Sequence, residues 1–321
     1  MIEANFIEPV QNLIPLVEEK IRSQSEGHHQ VLGAALSHLL SSGGKRIRVA
    51  VTLLTGLMLG ADEERLVTLA ASIEALHTAT LVHDDLIDGA LIRRGIPTLN
   101  AQWSPAATVL TGDFVFARAA KLASETGSIE VMHLFAETLA IIVNGEITQL
   151  FSSHGIVSRE NYYQRIYAKT ASLFETATTT AALLSPVSAD VVGNLKRFGY
   201  EIGVAFQIVD DILDFTGEQA TVGKPVANDL RNGIVTLPAL YYMESNPQDK
   251  DIHTILNSNF CDEACLERVL NSIRSSGAIQ HSLREAKEGV DRGLATLARL
   301  PESRERQALT SLAKYIVSRD I

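Results

Sequence analysis

The feature that most limits what this chain can become is a helical periodicity that runs almost its full length. Leu13, Leu16, Val17 and Ile21 share one helical face, as do Leu32, Ala35, Leu36 and Leu39. From Leu66 to Asp88 the pattern predicts one long helix, with Leu69, Ile73, Leu76 and Thr80 at three- and four-residue steps. Further helices are predicted over Val131–Phe151, Glu160–Leu184, Leu195–Phe215 and Thr236–Met243, and the more charged stretch Glu263–Ile321 stays periodic. Breaks fall at Ser41–Gly44, Gly95–Pro97, Ser152–Gly155, Ser185–Pro186 and Gly217–Pro225. No segment alternates convincingly like a strand. Long amphipathic segments on short linkers predict an all-α helical bundle, and no composition shift divides residues 1–321 into domains.

Composition narrows the function. Apolar residues make up 46% of the 321, enough for a sizeable core. The 38 acids against 28 bases leave a formal charge of −10, which argues against a surface built to wrap nucleic acid. The two cysteines, Cys261 and Cys265, lie four apart and could share a metal, but no further Cys or His nearby completes a site, and so low a count fits a reducing, cytoplasmic setting. The opening stretch Met1–Arg22 lacks the basic-then-apolar plan of a signal peptide. Val49–Ala61, the most apolar window, is shorter than the roughly 20 residues a membrane span needs. A soluble protein is expected.

Two short acidic runs stand out against this background. His83-Asp84-Asp85-Leu86-Ile87-Asp88 places Asp84 and Asp88 four apart, so that on a helix both carboxylates leave the same face one turn apart. Asp210-Asp211-Ile212-Leu213-Asp214 repeats the arrangement. Each run follows an apolar stretch, whereas a solvated charged face would mix signs along its length. Gly89 puts the first run at a helix C-terminus, where anions are disfavoured by about 0.3–1 kcal/mol each. Something positive has to compensate. Carboxylates without His or Cys suit magnesium, which takes one or two of them and fills its shell with waters and phosphate oxygens. If two such helices face each other across several ions, a diphosphate is the natural guest.

Basic residues stand close to these runs. Gly43-Gly44-Lys45-Arg46-Ile47-Arg48 sets Lys45 and Arg48 three apart at the opening of an apolar helix, where an anion is favoured. Its glycines lack the spacing of a Walker loop. Arg93-Arg94-Gly95 follows the first acidic run, Lys169-Thr170 begins a helical turn, and Lys224 follows the second run.

Taken in order, Gly43 to Arg48, His83 to Asp88 with Arg93-Arg94-Gly95, Lys169-Thr170, and Phe206-Gln207 through Asp214 resemble the signature of the trans-isoprenyl diphosphate synthases, the family of polyprenyl, farnesyl and geranylgeranyl diphosphate synthases. Gly223-Lys224-Pro225, Asp229-Leu230 and Thr236-Leu237-Pro238 extend the match, and Tyr315 and Arg319 resemble the family's C-terminal end. The resemblance implies a single large bundle of about ten or more helices around a central cavity, and a homodimer. It implies that Asp84, Asp88 and Asp210 bind magnesium, three ions in the substrate complex, with Asp85, Asp211 and Asp214 beside them. Arg93, Lys169, Thr170, Gln207 and Lys224 are then expected on the allylic diphosphate (dimethylallyl, geranyl or farnesyl), and Lys45, Arg48, His77 and Arg94 on isopentenyl diphosphate. Lys169 is also expected among the catalytic residues. Two departures from relatives are the apolar linker Gly89-Ala90-Leu91-Ile92 and Ile234 in place of a frequent lysine.

The implied chemistry is ionisation of the allylic C–O bond, attack by the isopentenyl double bond and loss of a proton. Ala79 and Thr80, one turn before Asp84, are small where short-chain members of the family carry a bulky aromatic. The growing tail can then pass toward Leu76, Ile73 and the helix bearing Phe135, Leu139 and Ile142, for a product of around six to ten isoprene units. A farnesyl or geranylgeranyl product is the runner-up. A class I terpene cyclase is disfavoured by Asp210-Asp211 and the Lys45/Arg48 pair, and a non-catalytic subunit by the intact aspartates. The catalytic half of a heteromer stays open.

Overall fold

Helix follows helix through the chain, as the periodicity predicts. The computed structural model describes residues 6–41, 43–151, 158–216, 227–257 and 262–319. In order, the first ten helices are α1 (Ile14–Ser23), α2 (Gln30–Ser41), α3 (Ile47–Met58), α4 (Glu63–Ile87), α5 (Leu99–Gln102), α6 (Pro105–Glu125), α7 (Ile129–Phe151), α8 (Arg159–Ile166), α9 (Ser172–Leu183) and α10 (Ala189–Thr216). Shorter helices follow at Asn228–Arg231, Leu237–Ser245 and Lys250–Asn257, then longer ones at Glu263–Ser275, Ala278–Leu297 and Arg304–Ile316.

The chain forms two compact units. One gathers Met1–Ala140, Leu173–Gly199 and Thr296–Leu312; the other gathers Ile141–Ser172, Tyr200–Ala295 and Ala313–Ile321. At the centre of the first unit is α4. Asp62 caps its start by accepting a bond from the Arg65 backbone N–H at 2.9 Å, with Glu63 and Glu64 in the favourable first turn. From Leu66 to Leu76 the helix is buried on every side, as expected of a core helix rather than a surface one. It packs chiefly on α6, α3 and α1. The α4–α6 approach is close: the Ser72 hydroxyl donates across to the Ala119 carbonyl at 2.8 Å, and a side chain at Gly112 would run into the His83 ring.

Three details differ from the sequence expectation. The stretch Glu160–Leu184, expected as one helix, is α8 and α9 joined by a π-turn over Tyr167–Ala171. Such a turn carries one extra residue and re-aims its side chains; here Ala168 passes so close to α7 that a Cβ on Gly145 would run into it. Ile92–Arg93 and Ile96–Pro97 form a two-residue antiparallel ribbon, where no strand was expected, because the turn between them closes with residues of positive φ. Thirdly, Val49–Ala61 is too short to span a membrane, as expected, but two other helices are long and apolar enough to do so. By length and composition alone α4 and α7 both qualify; 78% of the apolar window of α4 is buried, against 17% for α7. Thus α4 is core, while α7 shows an apolar face with Ile129, Val143, Ile147, Leu150 and Phe151 exposed.

Candidate active site

The first acidic run lies at the end of α4, as its position before Gly89 predicts. Asp88 is the last cap residue, its N–H bonded to the Asp84 carbonyl at 2.8 Å. Asp84 is half-buried, Asp85 buried and Asp88 exposed. Asp85 turns away from its neighbours to Arg93: the Arg93 Nε lies 2.9 Å from both carboxylate oxygens, and Nη2 lies 2.7 Å from Oδ1. Arg93 is delivered by the ribbon. Its two-residue turn, Arg94-Gly95, has φ of +50° and +80°, the left-handed pair that suits a tight hairpin and explains the glycine. The turn aims Arg94 back to the loop before α3, where its guanidinium donates to the Gly43 carbonyl.

Beside these residues opens a cleft lined by Arg46, Glu74, His77, Asp85, Arg93 and Arg94 among apolar neighbours such as Leu81 and Val82. With Asp85 matched by Arg93 and Glu74 by Arg46, Arg94 adds positive charge beyond these pairs. The imidazole of His77 is held well below its ordinary pKa, first by burial and then by the charges of Arg48, Arg94, Arg93 and Arg46. It is therefore neutral, and Nε2 accepts from Arg48 Nη1 at 3.2 Å. The Arg48 guanidinium also lies over the Phe174 ring, 4.8 Å from its centroid. Burial, then Arg93, lowers the pKa of Arg94. Lys45 is exposed and does not line the cleft.

The second acidic run lies on α10. Asp210, 40% exposed at its side chain, pairs with Arg319 at 2.9 Å, and the Arg319 guanidinium lies 4.2 Å from the Phe206 ring centroid. Asp211 is buried and receives two hydrogen bonds, from the Tyr162 hydroxyl at 2.7 Å and from the Gln207 amide at 2.8 Å. Burial, and then the charge of Asp229, pushes its pKa up to about 7 against those two donors. Gln207 in turn accepts from the Thr170 hydroxyl at 2.5 Å. Thr170, Gln207 and Asp211, separately predicted, thus form one relay ending on Tyr162. Lys169 precedes Thr170 on the π-turn and is exposed. Asp214 accepts from the backbone N–H groups of Asn228 and Asp229 at 3.1 and 3.2 Å, capping the short helix that they open. Lys224 lies outside the described residues.

Sequence reasoning missed Tyr162, Glu74 and the partnership of Arg319 with Asp210. Glu74 had a signal: an acid on the core face of an apolar helix needs a partner. Tyr162 had none, since its partner is remote in sequence.

Carboxylates alone supply the hard donors, and among the described residues no three His, Cys, Asp or Glu side chains gather closely enough to hold a metal by themselves.

Comparison with known proteins agrees with this geometry. Residues 29–273 match the family model described as polyprenyl synthetase. The chain is 35% identical over 306 residues to octaprenyl diphosphate synthase of Escherichia coli (strain K12), covering 95% of each chain. It is 37% identical over 305 residues, again 95% of each, to heptaprenyl diphosphate synthase component 2 of Geobacillus stearothermophilus. A crystal structure of polyprenyl synthase from Caulobacter crescentus CB15, complexed with calcium and isoprenyl diphosphate, superposes with a TM-score of 0.92 at 35% identity, covering 98% of this chain and 97% of that one. The chain belongs to the polyprenyl synthetase family: it is an all-α trans-prenyltransferase of the medium- to long-chain kind.

Proposed function

We propose that the chain condenses isopentenyl diphosphate with an allylic diphosphate (dimethylallyl, geranyl or farnesyl) and repeats the step to a polyprenyl diphosphate of medium or long chain. The observation that carries this reading is the repeated acidic pattern on α4 and α10, each with its central aspartate held by the protein, together with an arginine-rich cleft beside the first run. Asp84, Asp88 and Asp210 hold magnesium, three ions in the substrate complex. When bound, the ions supply positive charge that draws electrons into the leaving diphosphate.

The chain's own groups orient and stabilise. Asp85 fixes Arg93 for the allylic diphosphate, where Lys169, Thr170, Gln207 and Lys224 also act. The Tyr162–Asp211 contact holds Gln207 in place, and Asp214 anchors the turn at Asn228. Arg48, Arg94, Lys45 and neutral His77 hold isopentenyl diphosphate. Prepositioned cations meet the charge that develops on the leaving oxygens, and a fixed second substrate makes attack on the allylic carbon effectively intramolecular. Ala79, buried, and Thr80, half-buried, are small side chains one turn before Asp84, which supports the longer product.

In this reading the whole chain is one cytoplasmic catalytic domain, and a second copy covers the exposed apolar face of α7. A second reading, that a different subunit covers it, is supported by the name of the Geobacillus relative, a component of a synthase. The test is incubation of the purified chain with labelled isopentenyl diphosphate, magnesium and each allylic primer, with product length read by chromatography and mass by light scattering. Chelator-sensitive products longer than geranylgeranyl, made by a dimer of this chain alone, are expected. No incorporation with any primer sinks the proposed reaction; activity only after adding a second protein selects the heteromer.

A further inference from the structure

We infer that Arg46 is a positioning residue for the anion cleft, acting by masking the charge of Glu74 rather than by touching substrate. This rests on the reading of that cleft as the isopentenyl diphosphate pocket. Glu74 is buried on α4, three residues before His77 and on the same face, and it lines the cleft with His77, Arg93 and Arg94. An unmatched carboxylate there would repel any diphosphate. It is matched by Arg46, whose Nη1 donates to Glu74 Oε1 at 2.7 Å.

The remaining nitrogens of Arg46 are engaged as well. Nε donates to Glu18 Oε1 on α1 at 3.0 Å, and Nη2 donates to the Leu40 carbonyl near the end of α2 at 3.0 Å. This guanidinium is directed at the protein on all three sides. Its backbone is left-handed, φ +46° and ψ +36°, a strained region for a residue with a Cβ. The strain lies between Lys45 and Arg48, the two cations expected on the diphosphate. The same turn that sends Arg46 inward to α1 and α4 leaves Lys45 exposed and starts α3 with Arg48 beside His77. Arg46 therefore has two linked effects: it cancels a negative charge in the cleft and it fixes the loop carrying its neighbours. A buried ion pair can also exist for packing alone, so the test has to separate charge from scaffold.

Inorganic diphosphate is titrated calorimetrically, in magnesium-free buffer, into wild type, Arg46→Gln, Glu74→Gln, the double variant and Glu18→Gln. KM for each substrate and the thermal midpoint are measured alongside. Arg46→Gln is expected to weaken diphosphate binding and raise the KM for isopentenyl diphosphate by about tenfold, with kcat and the allylic KM little changed. Adding Glu74→Gln is expected to bring both values back to within about threefold of wild type, because the repelling charge is gone. Glu74→Gln alone should bind diphosphate at least as tightly as wild type. Glu18→Gln, which removes a tether outside the cleft, should leave the affinity within about threefold.

A merely structural pair predicts the opposite pattern, in which folded fraction and apparent kcat fall while KM stays. A double variant as weak as Arg46→Gln overturns the inference, as does weaker binding by Glu74→Gln or a Glu18→Gln loss equal to that of Arg46→Gln. If Arg46→Gln does not fold, the Glu74→Gln and Glu18→Gln titrations still decide. Should wild type incorporate no isopentenyl units while the diphosphate titrations keep the expected order, the proposed reaction fails and the charge masking stands.

Discussion

The two acidic runs are nearly the same text, yet the protein treats their central aspartates differently. On α4, Asp85 makes a forked ion pair with Arg93. On α10, Asp211 is buried, receives the neutral donors Tyr162 and Gln207, and has its pKa pushed up to about 7 by burial and by Asp229. The positions one turn upstream differ too. Four residues before the first run's opening aspartate stands Thr80, and at the same place before the second stands Phe206, covered by Arg319. The lesson is that the repeated motif specifies carboxylates on one helical face, while the surroundings decide what partner each carboxylate meets. The first central aspartate holds a guanidinium; the second holds an amide.

If the outer aspartates are the equivalent part of the two runs, their loss should be equally severe. Asp84→Ala and Asp210→Ala are each expected to lower kcat by about 1,000-fold, the scale of removing a principal stabiliser of developing charge. A large loss in one and a mild loss in the other, measured by incorporation of labelled isopentenyl diphosphate, would break the symmetry. The central aspartates should then separate. Asp85→Asn removes the charge that holds Arg93, and about a 100-fold loss is expected. Asp211→Asn can still accept from Tyr162 or Gln207, so a loss of less than about tenfold is expected. Equal losses would mean that the surroundings described here do not set the roles.

Much of this was legible in sequence for a physical reason. Helical spacing puts Asp84 with Asp88 on one face whatever the tertiary context, and Gly89 marks the helix end. The glycine at 95 likewise announces a turn. What stayed hidden depends on partners remote in the chain. Nothing near Asp211 points to Tyr162, and nothing near Asp210 points to Arg319, because hydrophobic pattern fixes which face is buried but not which polar group meets it there. The π-turn at Lys169 was hidden for a similar reason: it lies where Ala168 passes close to Gly145, a residue remote in the chain. The exposed face of α7 was overlooked because mean hydropathy does not tell a buried apolar helix from a bare one.

The space upstream of the first run can be tested at Ala79, the neighbour of Thr80. Ala79→Phe places an aromatic beside Thr80, at a position with no exposed surface. If the tail passes there, products should shorten by several isoprene units while total incorporation stays within about tenfold, because the ring fills space the tail used. If α4 is solidly packed at this point, the ring has no room; the variant should lose about 1–3 kcal/mol of stability and keep its product length. Chromatography of the products and a melting curve separate these outcomes.

The smallest expected effect concerns acidity, where burial acts on both regions with opposite consequences. Burial favours the neutral form of each group, which raises the pKa of the Asp211 carboxyl and lowers that of the His77 imidazole. For His77 the unfolded chain takes up a proton near the ordinary value of 6.5, while the folded protein resists it, so the unfolded state binds more protons below that pH. The stability linked to neutral His77 is therefore fully present above about 6.5 and is lost as pH falls toward the folded value. The arginines facing the ring, Arg48 from α3, Arg46 before it, and Arg93 and Arg94 from the ribbon, stay charged throughout this window and keep opposing protonation, while Glu74 on α4 pulls the other way. His77→Gln keeps an acceptor for Arg48 but cannot titrate. Between about pH 7 and about pH 5 its stability should fall less steeply than that of wild type, the difference reaching at most about 1.4 kcal/mol per pH unit. Parallel denaturant curves for the two proteins across that range would show that His77 is not held neutral by its surroundings, and the contrast drawn here between imidazole and carboxyl would fail on the side of α4.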